Sequence, residues 1–310
     1  MTLKYVTDHF SLTGASHIPK GLGCQDYATS GTLPKGAVYA IVCDGCSCAD
    51  PITHEPDRSA KTAVGASSLA LITARAISKV WELNSRADEI AQLMINMQQQ
   101  LVLPTIKSSL GLENKDLLAT CMYVLIAPTG GIVNVQGDGV LALRKRNGEI
   151  ILMRWDWSNN EPYYPCYNLD NTSSVVNSKG GVDAEVLTEQ HWLLPAADNA
   201  EPIHLLDRKV TVSEGAKGVC ISLNAEEVAD IESLVLFSDG ICSVAKGPYL
   251  RPEFLDWKDM VRRIFVRGWG EAAPDFVQAR LDRWQERDVI VLDAKHLDDL
   301  SIAAIRRIYE

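Results

Sequence analysis

The chain has 310 residues, 46% hydrophobic and 23% charged, which is ordinary for a globular protein and ample for a full core. A formal charge of −10 and a pI near 5.2 exclude a broad phosphate-backbone partner, because nucleic-acid binding needs a basic face. The one short basic run, RKRNGE at 144–149, suits a solvated hairpin tip.

In chain order, a strand is predicted at 4–13 and another at 38–43. Two amphipathic helices follow at 57–83 and 86–109, with Pro56 suited to the start of the first. Strands come next at 121–127, 132–135, 140–144 and 150–155. The segment 158–181, rich in Asn, Ser, Tyr and Gly, is irregular, either a lid over a site or a long surface connection. Strands at 204–212, 219–223 and 234–237 lead to a second helix pair at 257–266 and 272–287 and a closing strand at 300–308.

Strand and helix do not alternate, so a doubly wound parallel sheet is not expected. The order predicts an α+β protein with two antiparallel sheets and a helix pair on each outer face. No repeat or linker divides residues 1–310, so a single domain is expected. MTLKYVTDHF has neither a basic start nor an apolar run, so no export leader is predicted. The eight cysteines are then expected as reduced thiols in a cytoplasmic protein. Apolar stretches such as ALITARAI are interrupted by Arg75 and too short for a bilayer, so no membrane span is expected.

One pattern recurs at strand ends. VYAIVCDG ends at Asp44–Gly45, GIVNVQGDG at Asp138–Gly139 and SLVLFSDG at Asp239–Gly240, while KHLDDLSIAAI places Asp298 and Asp299 before the last strand. Asp26 precedes the first of these turns. A lone Asp-Gly is ordinary hairpin chemistry, and Asp138, with strand-like sequence on both sides, is most open to that explanation. Asp44 and Asp239 instead close nearly continuous apolar runs, as strands buried on both faces do. Carboxylates held at such ends can converge on a divalent cation, and hard cations take oxygen ligands. The thiol alternative, zinc or redox chemistry at CDGCSC through Cys43, Cys46 and Cys48, lacks a second C-x-x-C or H-x-x-x-H to complete four ligands.

In order along almost the whole chain these segments resemble the metal-dependent protein serine/threonine phosphatases of the 2C type, in particular their bacterial branch. SHIPKGLGCQDYA is similar to the family's opening motif and AIVCDG to its first metal-binding turn. LLATCMYVLIA, with Thr120 at the family position, is similar to its threonine-containing strand. NVQGDGVLAL, LVLFSDGI and LDDLSIAAI are similar to the remaining three motifs. The resemblance implies a four-layer α/β/β/α sandwich holding two or three Mn2+ or Mg2+ ions at one edge. By the same resemblance, Asp44 and Asp239 carry catalysis, and Asp44, Asp239 and Asp298 are the main metal ligands. The Gly45 carbonyl and Asp26 assist, and Asp138 helps hold a weaker third ion. Phosphorylated proteins are the implied substrates and a serine/threonine kinase the implied opposing partner; no oligomeric state follows.

The chain departs from the pattern in several places. Gly21 stands where relatives often carry a phosphate-gripping arginine, and Lys20 and His17 are the substitute phosphate-binding candidates. Cys46 occupies the position of a histidine proposed as leaving-group acid, for which His54 is a candidate. Gln25 replaces a glutamate and Gly139 a serine. The missing arginine leaves room for a second reading, a phosphatase fold retained as a binding module.

Overall fold

The structure, a computed structural model, describes residues 4–46, 61–170, 172–196, 200–248, 251–266 and 275–308. The chain begins with β1 (Lys4–Leu12), β2 (Tyr27–Thr32) and β3 (Val38–Cys43), then α1 (Thr62–Asn84) and α2 (Glu89–Leu110). Four strands follow: β4 (Cys121–Ala127), β5 (Gly130–Gln136), β6 (Gly139–Lys145) and β7 (Ile150–Trp157). After the short helices α3 (Tyr167–Asp170) and α4 (Thr172–Ser178) come β8 (Glu185–Leu194) and β9 (Ile203–Thr211). Next are α5 (Val212–Lys217), β10 (Val219–Leu223), α6 (Ala225–Asp230) and β11 (Ile231–Phe237). The chain closes with β12 (Val244–Lys246), β13 (Glu253–Phe254), α7 (Trp257–Val266), α8 (Phe276–Trp284), β14 (Ala294–His296) and β15 (Leu300–Ile308).

Side-chain alternation along the central strands sets the layers. In β3, Ala40 and Val42 face the second sheet while Ile41 and Cys43 face α1 and α2. In β6, Leu141 and Leu143 face inward and Val140 and Ala142 face α7 and α8. Each strand is buried on both faces, which is why each reads as a nearly unbroken apolar run. Three apolar layers result: helix to sheet, sheet to sheet and sheet to helix. A fully buried Leu, Ile or Phe contributes about 1.5–3 kcal/mol, so these layers together hold the sandwich.

One sheet has seven strands in the order β1-β15-β11-β6-β7-β8-β9 and the other five, β10-β5-β4-β3-β2. Pairing within both is antiparallel, as is that of a small third sheet, β13-β12-β14. The predicted α+β sandwich is therefore present, with the small sheet as an addition. Ser85, in the left-handed region, ends α1, and the Asp88 carboxylate accepts the Ala91 N–H to start α2. These two caps turn the helix pair sharply.

Several boundaries differ from expectation. The first helix begins at Thr62; Pro56 and residues 57–60 lie outside the described residues. Helix α8 ends at Trp284 and continues as a π-helical turn over Gln285–Val289, while 272–274 lie outside the described residues. Strands β2 and β8 were not foreseen, because YATSGT lacks an apolar run and EVLTEQHWLL carries Glu189. That carboxylate is buried against His191 and Arg208. Among the described residues α1 alone is long and apolar enough to cross a membrane, and half of its most apolar stretch is buried in the fold.

Asp138–Gly139 is not a hairpin turn. Strand β5 belongs to the five-stranded sheet and β6 to the seven-stranded one, so this dipeptide is the crossing between them. Gly139 has φ +136°, and a Cβ there would stand 2.4 Å from Met122 Sδ and 2.8 Å from the Phe237 carbonyl oxygen. The positive φ and the tightness of the crossing explain the glycine at 139.

Candidate active site

Antiparallel pairing brings strand ends and strand starts to one edge of the sandwich. Tyr27 pairs with Cys43, so Asp26 before β2 meets Asp44 after β3. Phe237 pairs with both Val140 and Ile302, so Asp239 after β11 lies near Asp138 before β6 and Asp298 before β15. Asp44, Asp138, Asp239 and Asp298 line one cavity of about 160 Å3, together with Gly45, Thr120 and Tyr164. Asp26 sits behind them, hydrogen-bonded to Asp44 and Ser238. Residues up to 272 apart in sequence thus share one edge.

Backbone contacts fix these positions. The Asp44 N–H donates to Thr120 Oγ1 at 3.2 Å and the Thr120 N–H to the Asp44 carbonyl at 2.8 Å. Gly45 bridges to Ala119. Ser238 and Ser301 lock β11 to β15 through N–H to Oγ and N–H to carbonyl bonds of 2.9 and 3.0 Å. Ser243 Oγ accepts the Asp298 N–H and donates to the Gly240 carbonyl, tying Asp298 to the Asp239 turn. A Cβ on Gly240 would stand 1.8 Å from the Asp299 carbonyl oxygen, so only glycine permits that approach. Thr120→Val, which keeps shape and removes the hydroxyl, is expected to cost about 1 kcal/mol in chemical denaturation. It should also slow turnover, because the Asp44 backbone loses one of its two anchors.

The carboxylates oppose one another electrically. Burial, then the charges of Asp26 and Asp239, push the Asp44 carboxyl well above its ordinary value, although Asp44 keeps some surface on the cavity. Burial and the Asp239 charge do the same to Asp138. Burial raises Asp26 to about 7 against the lowering effect of its bonds to Asp44 and Ser238. Asp298 is raised by lost solvation and by Asp239, even though its side chain is 54% exposed. Among the described residues no three His, Cys, Asp or Glu side chains are already gathered at metal-binding distance. The acids instead meet in hydrogen-bonded pairs, Asp26 with Asp44 and Asp44 with Asp239.

A divalent cation fits this donor set. Asp26 Oδ2 is buried without a hydrogen-bond partner, and the mutual repulsion of the acids is what a cation relieves. The oxygens are hard, as Mg2+ and Mn2+ require.

Asp299 has a different task from its neighbour. Only 2% exposed, it accepts the Gly14 N–H at 2.7 Å and the Gln25 N–H at 2.5 Å, and lies 3.0 Å from His17 Nδ1. His17 is thus buried against Asp299, 3.7 Å from Asp298, and does not line the cavity; Lys20 is exposed and does not line it either. Cys43 turns into the helix-facing core and Cys46 into the cavity wall, so that pair does not face one centre. Cys48 and His54 lie outside the described residues.

Residues not foreseen from sequence also shape the cavity. Asn160, Pro162 and Tyr164 bring part of the irregular segment into its wall, and Tyr164 is hydrogen-bonded to Cys46. Tyr164 also packs with Ile72, Leu103 and Leu117 under α1 and α2. The cluster YYPCY in an otherwise polar stretch was the available signal, since aromatics seldom crowd a solvated connection.

Two antiparallel sheets packed between helix pairs, with acidic residues gathered at one edge, make the fold of the serine/threonine protein phosphatases of the 2C type. The sequence profile described as Protein phosphatase 2C matches residues 13–286, and the chain belongs to that family. It is accordingly an enzyme of the phosphatase class. The match stops before β15, so Asp298 and Asp299 lie outside it.

The structure is similar to that of the S. agalactiae serine/threonine phosphatase, at 14% identity over 97% of this chain and 99% of that one, with a TM-score of 0.52. The M. tuberculosis serine/threonine phosphatase PstP/Ppp is similar at 12% identity over 98% and 99%, TM-score 0.48. The S. aureus serine/threonine phosphatase Stp1 is similar at 12% identity over 100% and 96%, TM-score 0.47. At these identities the likeness is one of fold. No curated protein sequence matches the chain.

Proposed function

We propose that the chain hydrolyses phosphoserine and phosphothreonine in proteins, with two or three Mn2+ or Mg2+ ions held by Asp44, Asp239 and Asp298. Asp26, the Gly45 carbonyl and Asp138 complete the donor set. When bound, the ions supply positive charge for the phosphoryl oxygens and lower the pKa of the attacking water. The observation that carries this reading is the convergence of Asp44, Asp138, Asp239 and Asp298 on one cavity.

The chain's own residues have defined tasks in that scheme. Asp44 and Asp239 would face the ions as neighbouring carboxylates, held in place by Thr120 and by the Gly240 turn. Ser243 holds the backbone of Asp298 against that turn. Segment 158–181 serves as a flap: Tyr164, anchored in the apolar layer below, forms part of the cavity wall and limits water. A kinase acting on the same proteins is the implied opposing activity, and residues 1–310 work as one phosphatase domain.

Stripping the protein with EDTA and assaying para-nitrophenyl phosphate and a phosphothreonine peptide tests the scheme. Hydrolysis of both is expected to return only when Mn2+ or Mg2+ is added back. A stripped protein that turns over at the full rate would overturn the metal assignment.

A further inference from the structure

We propose that a smaller cavity beside the acidic one is a subsite for the phosphoryl group of the substrate, with Arg154 as its anion-binding residue; this rests on the hydrolytic function proposed above. The two cavities adjoin, since Asp138, Asn160 and Asp239 stand in the walls of both. The smaller, of about 50 Å3, adds Arg154, Asp156 and Cys242. Among the described residues Arg154 is the one cationic side chain on either wall. A phosphate dianion approaching carboxylate walls meets strong repulsion, and a guanidinium standing among those walls offsets part of it.

The local structure holds Arg154 ready for this task. Arg154 pairs with Val140 across β6 and β7, so it stands at the sandwich edge that carries Asp138, on the face toward α7. Its Nη2 is 3.0 Å from Asp156 Oδ2, and its guanidinium carbon is 5.9 Å from the centre of the Trp257 ring. These contacts restrict the side chain while Nε and Nη1 have no protein acceptor among the described residues. At 27% exposure the side chain is reachable from the cavity without being free in solvent. A planar guanidinium matches two phosphoryl oxygens in a way that a lysine ammonium does not. Arg154, on β7, would thus supply the cation that the opening loop lacks at Gly21.

The rival explanation is an ordinary surface ion pair with Asp156, which would contribute little to anything. Kinetics at saturating Mn2+ with a phosphothreonine peptide, combined with inhibition by inorganic phosphate, separate the two. Arg154→Ala is expected to raise KM and the phosphate inhibition constant about tenfold each, with kcat changed less than about threefold. The Mn2+ concentration for half-activation should stay where it is, and Arg154→Lys should recover only part of the loss. Unchanged KM and phosphate inhibition in Arg154→Ala would overturn the proposal. So would a shifted Mn2+ requirement with unchanged phosphate inhibition, since Arg154 would then merely support the carboxylates. Where the alanine variant unfolds, Arg154→Gln, which keeps a donor for Asp156, takes its place under the same expectations. If the wild type hydrolyses nothing, the proposed function fails but the subsite is still decided. Calorimetric binding of inorganic phosphate to the Mg2+-loaded wild type and to Arg154→Ala must then differ by about tenfold, and equal affinities would overturn the subsite.

Discussion

Asp239→Asn is expected to move activity and stability in opposite directions. Metal-activated hydrolysis of a phosphothreonine peptide should fall at least about tenfold, roughly 1.4 kcal/mol in barrier. The metal-free protein should meanwhile melt at a higher temperature. Burial first, and the charge of Asp239 in addition, raise the carboxyls of Asp26, Asp44, Asp138 and Asp298, so each of them lowers folding stability near neutral pH. A raised carboxyl destabilises the fold above its unfolded value, and each unit of displacement corresponds to about 1.4 kcal/mol. Removing one charge should return on the order of 1 kcal/mol in EDTA. In saturating Mn2+ the order should reverse, because a ligand at a hundred times its Kd stabilises by about 2.7 kcal/mol and the variant binds it less well. Calorimetric melting with and without Mn2+ reads both terms. Equal turnover and equal melting of the two proteins would remove Asp239 from the site.

Adjacent residues on the last strand should separate function from folding. Asp299→Ala leaves the Gly14 and Gln25 N–H groups and His17 without a buried acceptor, and is expected to cost about 3–5 kcal/mol in chemical denaturation. Asp298→Ala removes a side chain that is more than half exposed, accepts the neighbouring Asp299 N–H and, among the described residues, has His17 at 3.7 Å as its other polar neighbour. Its stability should change by less than about 1 kcal/mol, while metal-activated turnover falls at least about tenfold. Equal destabilisation by the two substitutions would show that Asp299 does not clamp the opening loop to β15.

Much of the sandwich was legible because its strands are buried on both faces and the helices alternate apolar and polar surfaces. The runs ending at Asp44 and Asp239 were visible for the same reason. Strand β2 was hidden, since YATSGT is a half-buried edge strand that takes its burial from β3, β1 and α1 rather than from an apolar run of its own. The Asp138–Gly139 dipeptide misled in a physical sense. Its turn chemistry is real, but the flanking strands pair with different sheets, and no local preference reports which sheet a strand will join. His17 and Lys20 lie near the opening aspartate in sequence, which does not by itself bring a side chain to the cavity. Packing turned the first toward Asp299 and left the second in solvent.

Residue types and periodicity by themselves favoured two antiparallel sheets over alternating strand and helix, and placed acidic residues at strand ends, because the pleat sets side-chain direction one residue at a time. Only the tertiary structure decided which ends became neighbours. It separated the clamp at Asp299 from the cavity wall at Asp298 and brought Arg154 and Tyr164 to the site. Those outcomes depend on strand partners and on contacts such as Gly14 to Asp299, 285 residues apart, whose formation is governed by packing of the whole chain rather than by any local preference.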